Sequence, residues 1–198
     1  MLDSSVLNVL AVPNLQGERF VWEIENSQID WVEGEDSLQH QVETLKRTYN
    51  GQQVLIGSSF GGLAAWMFAA EQCTPQLNGL ILIDVLPNLA AFPNHRALAF
   101  TVLSKLPQRL SQYIYNQYRS RQGDSSVQMR DVLLRVRSIQ KRFPSPYFPV
   151  PTLVVSTNKH FHQQWKQMSQ EHDLLSVQEK INLSVQINAW VKGLDHGG

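Results

Sequence analysis

Short apolar runs alternate with longer amphipathic segments along this chain. Residues 6–12, 53–56, 80–83 and 152–155 are short and mostly aliphatic, which is typical of buried strands. The spacing of Leu38, Val42 and Leu45 indicates one face of a helix, and residues 60–72 have the length and apolar content of a buried helix. Buried strands separated by helices predict an α/β fold with a mostly parallel sheet of about six strands and helices on both faces.

The C-terminal region has a less regular pattern. Residues 156–172 are short for a helix plus a strand, which favours a deleted helix and a last strand drawn from residues 160–168. Ser176 and Glu179 have the spacing of a capping box, so the last helix is predicted to begin there. Its inner face is predicted to include Val185, and Gly193 is predicted to follow its end.

Residues 88–146 differ from the sequence on either side. They contain no strand pattern and indicate about three helices, broken at Pro107 and at Gly123. Most of this segment is strongly basic, whereas residues 1–50 are acidic. The sequence therefore predicts a core of residues 1–87 and 147–198 with a helical lid insertion at residues 88–146, and lids commonly control what enters an active site.

Composition excludes several classes of protein. The chain of 198 residues is 42% hydrophobic and 17% charged, with a net charge of zero, so neither disorder nor general attraction to nucleic acid is expected. One cysteine, Cys73, rules out an intrachain disulfide and a cysteine metal cluster. No transmembrane segment or signal peptide is predicted, and the expected location is cytoplasmic.

The strongest chemical signal is the sequence GSSFG at residues 57–61, which matches G-x-S-x-G. It lies between a predicted strand and a predicted helix, as a nucleophile elbow requires. The elbow would lift the Ser59 hydroxyl above the sheet and place the backbone N–H of Phe60 at the positive end of the helix. Gly62 would allow the helix to pack closely on the sheet.

With this motif the chain resembles the α/β-hydrolase superfamily over most of its length, as a trimmed member. The segments that carry the resemblance are residues 54–66 (strand, elbow and helix), 80–87 (next strand), 151–155 (strand after the lid), 172–175 (histidine loop) and 6–17 (first core strand and oxyanion loop).

The resemblance implies a serine hydrolase mechanism. Ser59 would be the nucleophile, His172 the general base and Asp84 the acid that orients the imidazole. The backbone N–H groups of Phe60 and Leu15 would form the oxyanion hole. Neither a cofactor nor a metal is expected.

Two parts of the family pattern are altered, which leaves alternatives open. The family's acid usually follows the strand after the lid, but residues 156–160 contain no carboxylate, so Asn158 is the alternative to Asp84. Residues 13–14 read Pro-Asn where the family usually has His-Gly. His160 and His162 are further candidates for the base.

The expected reaction is cleavage of a small carboxylic ester or thioester by acyl transfer. The basic lid either binds an acidic carrier protein or simply has solvated helix faces. The alternative to an enzyme is a catalytically impaired relative that binds an acyl ligand or an acidic partner, because the acid and the oxyanion loop depart from the family pattern. The predicted acyl pocket consists of Leu98, Phe100, Leu103, Tyr113 and Tyr115.

Overall fold

A computed structural model describes residues 6–13, 24–35, 38–72, 75–85, 110, 148–156, 159–168, 173–176 and 183–194. These residues include six strands and four helices. In chain order they are β1 (Leu7–Val12), β2 (Ser27–Trp31), α1 (Leu38–Thr48), β3 (Val54–Ser58), α2 (Ser59–Glu71), β4 (Gly79–Ile83), β5 (Thr152–Ser156), α3 (Lys159–Met168), β6 (Asp173–Ser176) and α4 (Leu183–Leu194).

All six strands form one sheet in the order β2-β1-β3-β4-β5-β6, and every adjacent pair is parallel. The predicted α/β class and parallel sheet are therefore confirmed. Strands β3, β4 and β5 are buried almost throughout, because helices cover both faces of the sheet. Their aliphatic runs are the sequence signal of that double burial.

Alternate strand residues pack on opposite faces of the sheet. On one face, Leu10, Leu55 and Val154 belong to a core completed by α1, α2 and α3. On the other face, Val9, Ile56 and their neighbours form a second core with α4. The prediction of helices on both faces is confirmed for this part of the chain.

The strand register aligns the ends of β3 and β4. Ser58 pairs with Ile83, and Ile83 pairs with Val155, so Ser59 and Asp84 follow their strands at the same level of the sheet. Ser156 and Ser176, which are paired with each other, end the next two strands at that level. Because the strands are parallel, these residues share the carboxyl-terminal edge, where α/β proteins build their sites.

The C-terminal predictions are corrected by β6 and α3. The segment predicted to supply the last strand is helix α3, and the last strand is Asp173–Ser176. Ser176 is the last residue of this strand, and the described part of the last helix, α4, begins at Leu183. A strand with only two apolar residues is too short for its pattern to stand out from the sequence.

The inner face of α4 also differs from the prediction. Val185 is 68% exposed, whereas Ile187 and Val191 are buried against the sheet. Ile187 and Val191 are four residues apart and share a helix face, and Val185 lies about 200° around the helix from Ile187. Gly193 is the second-to-last residue of the helix and does not follow its end.

The predicted lid at residues 88–146 lies outside the described residues, Leu110 excepted, so the division into core and lid stays a prediction. None of the helices in the described ranges is long and apolar enough to cross a membrane.

Candidate active site

The chain changes from strand to helix at a single residue, Ser59. Ser58 has extended backbone angles, with φ −114° and ψ 144°, and Ser59 has a φ of 51° at the start of α2. An L-residue in this left-handed region is strained by about 1–2 kcal/mol. Ser59 is exposed although the residues around it are half-buried or buried. The strand-to-helix turn predicted for the elbow is therefore present.

Three glycines make this turn sterically possible. A Cβ atom on Gly57 would lie 2.6 Å from the backbone of Gly61 and Gly62, which is closer than real side chains allow. A Cβ on Gly62 would collide with the Val85 side chain and lie 2.7 Å from the Gly57 carbonyl oxygen. The strand, the helix and β4 thus approach each other through positions that only glycine can occupy.

Gly61 brings the elbow against the end of β1. A Cβ at this position would collide with the carbonyl oxygens of Val12 and Pro13. The segment after β1 therefore starts beside α2, where the first N–H groups of a helix have no partner within the helix. This supports the N–H of Phe60 as an oxyanion donor; the second predicted donor, Leu15, lies outside the described residues.

Asp84 occupies a second strained position next to the elbow. Its φ is 46°, and its N–H donates to the Val155 carbonyl at 2.9 Å, which continues the sheet beyond β4. Asp84 is half-buried and directly follows β4, the strand that neighbours β3, which Ser59 follows. Strained non-glycine residues cluster at functional sites. The structure thus brings Asp84 and Ser59 to the same place on the sheet edge.

The predicted base, His172, lies outside the described residues, but its expected context is wrong. The family pattern predicts it in a loop between the last strand and the last helix, whereas strand β6 begins at the next residue, Asp173. Asp173 pairs with Leu153. Through the strand register, Asp173 lies three residue positions before Ser59 along the strand direction, and β6 is the third strand along the sheet from β3. These steps amount to about 10 Å along the strands and about 14 Å across them.

The actual connection between β6 and α4 contains no histidine. It spans residues 177–182, which read VQEKIN. The base expected from the family pattern is therefore missing at that point of the chain. Sequence reasoning missed this because the pair Leu174-Leu175 was assigned to a loop.

His160 and His162, the other two candidate bases, both lie in α3 at the carboxyl-terminal edge of the sheet, and the structure describes the side chain of His162. His162 is the fourth residue of α3, which follows β5. Its Nδ1 atom is buried and has no hydrogen-bond partner within the described part of the chain. Three residues later, Trp165 is fully buried and donates its indole N–H to the Val85 carbonyl at 3.0 Å.

The other predicted site residues are not placed. Asn158 lies outside the described residues, as do the predicted acyl-pocket residues Leu98, Phe100, Leu103, Tyr113 and Tyr115. Within the described ranges, no group of three or more histidine, cysteine, aspartate or glutamate side chains could hold a metal ion.

Comparison with protein families gives the class of this fold. The family model described as alpha/beta hydrolase fold matches residues 26–183, which includes the elbow, β4 and α3. This match covers most of the chain, and the sheet order and elbow agree with it. The chain belongs to the α/β-hydrolase fold family.

Solved structures agree on the fold. A putative epoxide hydrolase from Pseudomonas aeruginosa matches with a TM-score of 0.60 at 14% identity, over 97% of this chain and 90% of the other. Human thioesterase 2 matches with a TM-score of 0.56 at 13% identity, over 96% and 97%. A lipase-esterase related protein from Clostridium acetobutylicum gives 0.54 at 10%, over 96% and 95%. No curated protein matches the sequence significantly.

Proposed function

We propose that the protein is a serine hydrolase that cleaves a carboxylic ester or thioester by acyl transfer through Ser59. The observation that carries this proposal is the exposed, left-handed Ser59 between β3 and α2. Three tightly packed glycines hold the serine in a conformation that costs energy, and a simple strand-to-helix connection has no need of that cost. A hydroxyl held at an exposed turn can reach a substrate carbonyl.

The reaction has two balanced stages. Ser59 Oγ attacks the carbonyl carbon while a histidine takes the hydroxyl proton, and the resulting oxyanion accepts hydrogen bonds from backbone N–H groups such as that of Phe60. The intermediate then expels the alcohol or thiol, which receives the proton from the imidazolium. Water repeats the same steps on the acyl-enzyme and releases the acid. Asp84 stabilises the charged imidazolium.

Two of the predicted participants stay predictions. His172 and Leu15 were assigned from the family pattern, and neither lies in a described segment. The acyl pocket and the acidic carrier at the basic lid also depend on residues 88–146. The thioesterase and lipase-esterase names of the fold neighbours agree with an ester or thioester substrate.

The experiment is covalent labelling with a fluorophosphonate, together with hydrolysis of aryl esters and acyl thioesters. The wild-type protein and the Ser58→Ala variant should be labelled and active, and the Ser59→Ala variant should be neither. Ser58 is a matched control because it is the adjacent serine and its side chain makes no capping hydrogen bond. Absence of labelling and turnover in the wild-type protein, beside a reacting control hydrolase, would refute the proposal.

A second candidate function is favoured by the missing histidine after β6. Residues 177–182 contain none, and residues 157–158, between β5 and α3, contain no carboxylate. A protein without a working base would bind an acyl ligand or an acidic partner without turning it over. It would be stabilised against heat by fatty acids or acyl thioesters while leaving them intact. Turnover that depends on Ser59 would exclude this candidate.

A further inference from the structure

The first turn of α3 must lie near the same sheet edge as Ser59. Strand β5 ends at Ser156, level with Asp84, and α3 begins three residues later. Since β5 and β6 are parallel, α3 begins at the carboxyl-terminal edge and runs back along the sheet. His162, in the first turn, is therefore closer to this edge than residues 163–168.

The contacts of Trp165 show in which direction the His162 face of α3 is turned. Residues three apart lie on one side of a helix, so His162 and Trp165 share a face. The Trp165 indole N–H donates to the Val85 carbonyl, and its ring lies 5.6 Å from that of Trp66 in α2. The face that carries His162 is thus directed at the end of β4 and at the helix that follows the elbow.

Contacts continue from Trp165 to the elbow. Val85 accepts the indole hydrogen bond and directly follows Asp84. The Val85 side chain in turn packs against Gly62, three residues after Ser59. One short chain of contacts therefore joins α3, Asp84 and the elbow.

The imidazole of His162 has an unused buried nitrogen. Nδ1 is removed from solvent and has no hydrogen-bond partner among the described residues. Such a group costs about 1–3 kcal/mol, and nearly all buried polar atoms avoid this by pairing. A histidine with an unpartnered buried ring nitrogen, at the sheet edge that also carries a strained serine and a strained aspartate, has the composition of a proton-transfer site.

We propose that His162 is the histidine that takes the proton from Ser59 and returns it to the leaving group. This rests on the proposed function and supplies the base that the segment after β6 lacks. Asp84 would orient the ring and stabilise its charged form. The order Ser59, Asp84, His162 along the chain agrees with the order serine, acid, histidine of this fold. Hydrogen bonds of a catalytic site are often long without substrate and shorten when it binds.

The test compares three histidine variants by ester hydrolysis, fluorophosphonate labelling rate and thermal unfolding. His162→Gln should lose about 10²–10⁴-fold in kcat/KM, the usual contribution of a general base. His40→Gln, on the exposed side of α1, is the matched control and should equal the wild-type protein. His172→Gln tests the competing assignment, since a loss as large as that of His162→Gln is expected there only if His172 is the base.

A second variant, His162→Ala, distinguishes the loss of a proton acceptor from misfolding. His162→Ala leaves space for imidazole, so added imidazole should restore part of its labelling rate, and it should not restore Ser59→Ala. Activity retained in His162→Gln, or lost only in His172→Gln, would overturn the assignment of His162 and leave the proposed function standing. A wild-type protein without Ser59-dependent turnover would overturn the proposed function and this inference with it.

Discussion

Glycine at position 59 should give a more stable protein than alanine, although both substitutions remove the proposed nucleophile. The φ of 51° costs an L-residue about 1–2 kcal/mol, and glycine adopts it freely. Glycine also increases the flexibility of the unfolded chain, which costs about 0.5–1 kcal/mol relative to alanine. Ser59→Gly should therefore be more stable than Ser59→Ala by about 0.5–1 kcal/mol, or about 1–4 °C in unfolding midpoint.

Calorimetry and urea unfolding of the two variants measure this difference directly, because both lack the hydroxyl and both should be inactive. Ser58 provides the control. Its backbone is extended, so Ser58→Gly should be less stable than Ser58→Ala. An equal or lower midpoint for Ser59→Gly than for Ser59→Ala would show that the turn stores no strain, and the main support for the proposed function would be lost.

Three further predictions concern the packing around the site and the sheet. Gly61→Ala would force a Cβ against the carbonyl oxygens at the end of β1. We expect a loss of about 1–3 kcal/mol in the free energy of urea unfolding and slower fluorophosphonate labelling. Wild-type values of both would show that Gly61 does not pack tightly against the end of β1. Trp165→Phe would leave the buried Val85 carbonyl without its 3.0 Å hydrogen bond and should cost about 1–3 kcal/mol of stability. An unchanged unfolding midpoint would argue against this hydrogen bond holding α3 to the end of β4. Asn188→Ala removes the buried acceptor of the Glu25 N–H and should cost about 1–2 kcal/mol of stability. Lys192→Ala breaks an exposed ion pair with Glu25, so it should cost less than about 1 kcal/mol, and less still in high salt. A larger loss of stability in Lys192→Ala than in Asn188→Ala would refute this explanation.

The elbow could be predicted because its signal is local. A short aliphatic strand, the GSSFG sequence and an apolar helix are contiguous in residues 54–71, so the pattern is complete within one segment. The same holds for the strands around it, whose burial on both faces leaves runs of aliphatic side chains. These segments required no knowledge of distant parts of the chain.

The C-terminal half of the site could not be predicted in this way. Strand β6 has only two apolar residues, and it exists because β5 offers a free edge for pairing. Helix α3 is held by Trp165, whose hydrogen-bond acceptor is 80 residues away in sequence. Without these long-range contacts, the sequence pattern predicts the wrong structural context for His172 and predicts a strand where His162 lies in a helix.

The amino-acid pattern by itself thus determined the α/β class, the parallel sheet and the serine turn, since each follows from which side chains avoid water and where glycine is needed. The tertiary structure decided which residues meet at the sheet edge. It placed Asp84 level with Ser59 through strand register, and it directed the face of α3 that carries His162 toward Val85 and α2 through the packing of one tryptophan. Pairing and packing between distant segments depend on the whole chain, so no local pattern encodes them.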